Sequence, residues 1–349
     1  MKFMMKRLTW TILALAFSVG AGAPVAHAAD DDSWRTTVLE ENDSLYFSSD
    51  RHYTQGFRIS GLSPTLNTDS WTNGPFHLPG DLGIPGVFNE GGIRRTSLFL
   101  GQSIFTPQDL VVKPPSSRDR PYGGWLYIGD SLLQETGNQL ENLELDLGVI
   151  GPGAFGQQIQ NDWHQFIGIH QAVGWSSQLQ NEPGGALTYE RFWRLPILQI
   201  GNSNGVQNGI DFVPQVGATG GNVFTYADAG GQIRIGRHLE ADYGQVHVRP
   251  SLSGTDYFNP SALGDDWGYY VFAGVQGRAV GHNVFVDGNT FRHSASVSRK
   301  ILVADLTAGV SVFWSTRLRL DLSVLRRTPE FVGQNRPDLG GSAAVAFSW

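Results

Sequence analysis

Gln160 and His164 stand four residues apart in a segment of helical character that starts at about residue 157. Helical spacing puts such a pair on one face. Imidazole changes charge near neutral pH and can take a proton from water, and an amide beside it makes a plausible catalytic partner. The stretch that holds them, residues 148–168, leaves a strand-like alternation and crosses the break Gly151-Pro152-Gly153. On spacing alone an ordinary surface helix is the plainer reading, so the pair needs support from elsewhere in the chain.

Three other polar clusters offer it. Glu41-Asn42-Asp43 interrupts an otherwise strand-like start, residues 50–56 (Asp50 to Gly56) open the strand 57–60, and residues 119–127 (Asp119 to Tyr127) open another. Each lies where a strand meets a loop. Other chemistry is excluded or weak. Gly201-Asn202-Ser203-Asn204-Gly205 matches G-x-S-x-G literally, but a nucleophile elbow needs a strand before the serine and a helix after it, so a turn is expected. No H-E-x-x-H, paired cysteine or His-rich cluster marks a zinc site, and no glycine-rich phosphate loop follows a strand.

The elements that must position these clusters are strands. Lys2, Lys6 and Arg7, an apolar run from Leu8, and Ala26-His27-Ala28 form a signal peptide over residues 1–28; residues 29–349 form one domain with no internal repeat. The signal takes three of 25 Lys+Arg and none of 32 Asp+Glu, so the formal charge moves from −7 to −10. That balance argues against a nucleic-acid partner. Without cysteine, an exported chain of this size must draw its stability from buried area or a closed sheet. Only 16% of residues are charged while Gly numbers 44 and aromatics reach 11%; a soluble domain carries about 25% charged residues.

Period-two alternation recurs. Leu143, Leu145, Leu147 and Val149 oppose Glu144 and Asp146; Leu318, Leu320, Leu322 and Val324 oppose Arg317, Arg319, Asp321 and Ser323. Residues 232–238 and 245–249 alternate likewise. One apolar face and one charge-tolerant face fit a transmembrane antiparallel β-barrel of about twelve strands, with a short loop helix at its outer rim. The chain ends with Val345, Phe347 and Trp349 on one face, as barrels that offer a terminal aromatic to the barrel-assembly machinery do. Trp125, Tyr127, Tyr189, Trp193, Tyr269, Tyr270 and Trp314 are expected in an interfacial girdle. Residues 64–94, 105–120 and 151–185 are expected as external loops, rich in turn-forming residues.

Together the clusters resemble the outer-membrane lipid A 3′-O-deacylase family. The resemblance runs along essentially all of residues 29–349. It rests on Asn42-Asp43; on Tyr53-Thr54 with Gly56; on Asp119-Arg120-Pro121-Tyr122 with Gly124-Trp125-Leu126; and on residues 148–152 followed by Gly156-Gln157, Gln160-Asn161 and His164. Gly174-Trp175, residues 178–183 and Gly220-Gly221-Asn222 add weaker agreement. Gln55 departs from an expected Asn, and His170 stands near a position that can be acidic in the family. The resemblance implies a twelve-stranded outer-membrane barrel of a Gram-negative bacterium and Ca²⁺-dependent hydrolysis of an ester-linked acyl group of lipid A. It implies His164 as general base, Gln160, Asn42, Asp43 and Thr54 around a metal and an oxyanion, Asp43 and Asn42 as metal ligands, and Lys113 as a substrate contact. Adjacent strand residues point to opposite faces, so Asn42 and Asp43 can share a site only if the strand bulges or ends there, or if one contributes through its backbone. Two other functions remain open: a phospholipase acting on glycerophospholipids, and a non-catalytic barrel that binds lipopolysaccharide.

Overall fold

Strict two-residue alternation calls for a sheet whose faces meet unlike surroundings, and the chain builds one. The computed structural model describes residues 33–47, 50–67, 71–88, 91–201, 207–250, 254–263 and 267–349; the expected signal peptide, residues 1–28, and Ser203 fall outside them. The strands are β1 (Arg35–Asn42), β2 (His52–Leu62), β3 (Ile93–Thr106), β4 (Gly123–Thr136), β5 (Gln139–Ile150), β6 (Glu182–Trp193), β7 (Leu195–Gly201), β8 (Gln207–Gly221), β9 (Phe224–Arg237), β10 (Trp267–Asn283), β11 (Leu302–Trp314), β12 (Leu318–Arg327) and β13 (Asp338–Ser348). All pairings are antiparallel. β6 and β7 form one crossing interrupted at Arg194, both lying along β8. β1 pairs with β13 from Arg35↔Ser348 to Asn42↔Gly341, so the ring closes as twelve crossings. Closure gives each crossing a neighbour on both sides, the condition for strands in hydrocarbon; only β7, which extends past the end of β5, lies beside β8 alone.

The alternation sorts as expected. Leu145, Leu147, Ile233, Ile235, Leu320 and Leu322 are exposed on the outer wall, while Glu144, Asp146, Gln232, Arg234, Arg319 and Asp321 are buried on the inner one. Those inner charges need partners, and a segment between β9 and β10 supplies several. Residues 245–249 are not a strand. Their alternation instead divides a strip of chain inside the lumen. Val246 and Val248 pack with Tyr53 and Trp125; His247 Nδ1 lies 2.7 Å from Glu41, and Arg249 bridges Glu144 (2.7 Å) and both oxygens of Glu190 (2.7 and 2.6 Å). Asp256 holds Arg58, Ser60 and Ser97 at 2.8–2.9 Å. The period-two pattern arises here because an extended strip also has two faces.

Two further expectations are corrected. Trp125, Tyr127 and Tyr270 are buried among inner-wall side chains and belong to no girdle, whereas Trp267, Tyr269 and Trp314 are exposed near the chain termini. Residues 64–94 are not an external loop at the end that bears His164. They join β2 to β3 at the opposite end, where both termini lie, and fold back on the wall through α1 (Gly74–Asp81), with Arg94 already inside β3. By its short turns, 137–138 and 315–317, against the longer connections 107–122, 151–181 and 284–301 at the other end, that end is the inner, periplasmic one.

Because the lumen is crossed by ion-paired chain, the protein is expected to pass no measurable single-channel current in planar bilayers. Arg249→Met takes the guanidinium from Glu190, leaves Glu144 to Arg58 and Ser131, and should cost roughly 3–5 kcal/mol of stability, read as a lowered denaturation midpoint of the refolded barrel.

Candidate active site

The rim around His164 is assembled on the outer face of the wall. Ile150 ends β5, and the turn Pro152–Ala154 leads into α2 (Gly156–Ile167). The outward-facing position Gly124 lets that turn lie close: a Cβ there would sit 3.1 Å from Ala154. Outward-facing Gln102 donates to the Ala154 carbonyl at 2.6 Å. The helix buries Gly156, Gln160 and His164, and its exposed face mixes Gln157, Gln158, Asp162 and Gln165 with Ile159 and Phe166, beside exposed Phe155. Gly168, at φ 75°, ends α2 in the left-handed conformation that glycine adopts readily. The chain then doubles back so that the His170 carbonyl reaches His164.

Both nitrogens of His164 are engaged. Nδ1 lies 2.7 Å from the His170 carbonyl oxygen, and Nε2 lies 2.8 Å from Oδ2 of Asp50. A carbonyl only accepts, so Nδ1 carries hydrogen. Gln160 Nε2 donates to the other Asp50 oxygen at 3.1 Å, and Trp175 Nε1 donates to Gln160 Oε1 at 2.9 Å. Trp175 is in turn packed on Tyr122, ring centroids 4.8 Å apart. Burial alone would lower the His164 pKa, but the hydrogen bond and charge of Asp50, with the His170 carbonyl, carry it above its ordinary 6.5. The imidazolium form is therefore favoured in this arrangement.

Asp50 was not among the candidates named from sequence. Its only signal was membership in the polar run 50–56; its partner lies more than a hundred residues away in the chain.

The remaining candidates form a second group joined to the first. β1 ends at Asn42, so Asp43 is free of the strand's alternation. Asp43 Oδ2 accepts from the Arg51 amide at 2.5 Å, and that amide is bonded to Asp50. The Asp43 amide faces the Thr54 carbonyl at 3.4 Å. Thr54 is the extra residue of a bulge between Tyr53 and Gln55, and its hydroxyl meets that of Thr106 at 2.8 Å. Asn42 Oδ1 accepts from the amide (2.7 Å) and hydroxyl (2.5 Å) of Ser44. Asn42, Asp43 and Thr54 thus gather near Asp50, while the carboxylate paired with the imidazole is that of Asp50, not Asp43. Lys113 stands exposed on the loop between β3 and β4. That loop reaches the α2 region where the Val173 amide donates to Leu110 O at 2.9 Å.

The rest of the motif residues brace the rim. His52 Nδ1 lies 2.8 Å from Asp338, and its Nε2 lies 3.6 Å from Asp119. Buried Arg120 holds Glu330 at 3.1 Å. Among the described residues no three His, Cys, Asp or Glu side chains gather around one point. A cation beside Asp43 would take one or two carboxylates with amide, hydroxyl and backbone oxygens. That all-oxygen donor set fits Ca²⁺ and suits a softer metal poorly.

The family model described as "Outer membrane protein LpxR" matches residues 11–349. Among solved structures the chain is similar to LpxR from Salmonella typhimurium, with 23% identity, 90% of this chain and 99% of that chain covered, and a TM-score of 0.68. It is also similar to the beta domain of the Bordetella autotransporter Brka, with 10% identity, 91% and 99% covered, and a TM-score of 0.38, too low for functional comparison. No curated relative matches by sequence. A closed barrel with an apolar outer wall, matched along nearly its whole length, makes this an outer-membrane protein and a member of the LpxR family, the lipid A 3′-O-deacylases that its motifs resemble.

Proposed function

We propose that this protein hydrolyses the ester-linked 3′-O-acyloxyacyl group of lipid A at the outer leaflet, in a Ca²⁺-dependent reaction with His164 as general base. The observation that carries the reading is a buried imidazole paired with a partly exposed carboxylate on the lipid-facing side of the wall, beside three exposed apolar side chains, Phe155, Ile159 and Phe166. An acyl chain can lie along Phe155, Ile159 and Phe166. A water-soluble substrate would gain nothing from that arrangement.

Ester hydrolysis needs an activated water and stabilisation of the oxyanion. Asp43 and Asn42 would hold the cation, which when bound polarises the ester carbonyl. Gln160 orients Asp50, and Thr54, set on its bulge, offers a hydroxyl to the same region. The Nδ1–His170 contact fixes the ring, leaving Nε2 as the nitrogen that must meet water. Asp50 stands in the way there, and it is the more exposed partner, 22% against 3%. Moving it aside frees Nε2 and removes the charge that raises the pKa, so the ring gives up its extra proton more readily and the neutral imidazole meets water at Nε2. The Arg51 amide links Asp43 to Asp50, coupling the two groups through one peptide. Lys113, on its exposed loop, is available to an anionic headgroup.

His164→Ala is expected to lower turnover by about 10²–10⁴-fold while the barrel stays heat-modifiable on gels, with lipid A acyl patterns read by mass spectrometry. An unchanged lipid A pattern with phospholipid cleaved instead assigns the site to glycerophospholipids. Chelation should abolish activity and Ca²⁺ should restore it; activity that survives both chelation and Asp43→Ala refutes the assigned mechanism. The raised pKa gives a sign to the pH dependence. The ion pair stabilises the fold below the ordinary histidine value and is lost as pH rises through the folded one, whereas catalysis needs the neutral ring. The acid limb of kcat/KM should therefore lie above 6.5, and Asp50→Asn should move it to lower pH.

A further inference from the structure

The outer wall carries a polar interruption near its inner end. Arg94, Gln134, Glu141 and Arg191 occupy outward-facing positions on β3, β4, β5 and β6, where the alternation elsewhere presents leucine and isoleucine. They pair with one another: Arg94 Nε donates to Gln134 at 2.7 Å and Arg191 Nη2 to Glu141 at 2.7 Å. Bare to hydrocarbon, such groups are costly even when paired.

The segment between β2 and β3 covers them. The Gly86 carbonyl accepts from Arg191, the Phe88 amide donates to Glu141 at 3.3 Å, and the Arg94 guanidinium lies 5.1 Å from the Phe76 ring centroid. Phe76 and Phe88 are buried with Leu132, and Leu143 packs against them. Glu141 is left 1% exposed. On its other side the same segment presents Leu78, Leu82 and Ile84, which are 54%, 75% and 49% exposed. Leu78 and Leu82 are four apart and share a face.

We infer that residues 71–88 form an in-plane cover on the barrel, shielding the wall's polar patch and offering Leu78, Leu82 and Ile84 to the acyl chains of the inner leaflet. Continuity favours lipid as the occupant. The exposed apolar belt of Ile128, Leu145, Leu147 and Leu187 breaks off at the paired polar residues, and the cover restores an apolar surface over that gap. An amphipathic element with one face on protein, and exposed leucines beside polar groups such as His77 and Asp81 that can stay at the water boundary, binds at the membrane interface in proportion to the apolar area it buries there.

The chain has no cysteine, so a single probe can be placed without background. Leu82→Cys, with Leu78→Cys as a second position, is labelled with an environment-sensitive fluorophore and reconstituted in phosphatidylcholine vesicles. The emission should shift to shorter wavelength, fall when acyl-brominated phosphatidylcholine is included, and resist iodide in the water. The same label at Ser116→Cys, on the exposed outer loop, should behave in the opposite way. Quenching of both cover positions by iodide but not by bromolipid overturns the inference. Resistance to both quenchers, with a dimer mass in detergent, also overturns it and assigns the face to a second copy of the chain.

Discussion

Hydrocarbon offers no hydrogen-bond partner, and that single absence governs this molecule. Every backbone amide and carbonyl within the apolar zone must find its partner on a neighbouring strand, so β13 has to return to β1. The same rule limits where irregular backbone can occur. Bulges, turns and catalytic geometry are confined to the rims and the interior. Thr54 leaves the ladder by one residue, and β1 stops at Asn42, at the height where α2 lies against the wall. The site sits where the backbone is first free to depart from regularity.

What was legible in the sequence follows from the range of each interaction. Outward leucines alternating with inward acids are a local signal, because neighbouring positions meet opposite surroundings; β5 and β12 could be read at once. Residues 245–249 carry the same period without a ladder, since any extended strip between two environments alternates. Aromatic residues near strand ends do not say which face they take, and Trp125 and Tyr127 turned inward to pack on the lumen chain. The cover over Glu141 was read as a polar loop because its Pro, Gly and Asn residues dominate the composition, while the few leucines that define its outer face are scattered.

The site was legible in part for the same reason. His164 and Gln160 are linked by a helical period, and Asn42, Asp43 and Thr54 came from motif resemblance. The ionic partner of His164 could not be read, since nothing local in residues 43–51 distinguishes Asp50 from the other rim acids. Pairing over that distance in the chain is a property of the closed sheet, which brings the loop after β1 against the helix after β5.

The placement of His164 on the outer side of the wall has a kinetic consequence. A reactive group that opens sideways onto the bilayer meets its substrate by diffusion in two dimensions, so its rate is governed by the mole fraction of the reacting lipid in that leaflet rather than by any bulk concentration. Diluting the leaflet with other lipids would then slow turnover even at constant total substrate, and crowding or demixing of the leaflet would set how much of the enzyme works at a given moment.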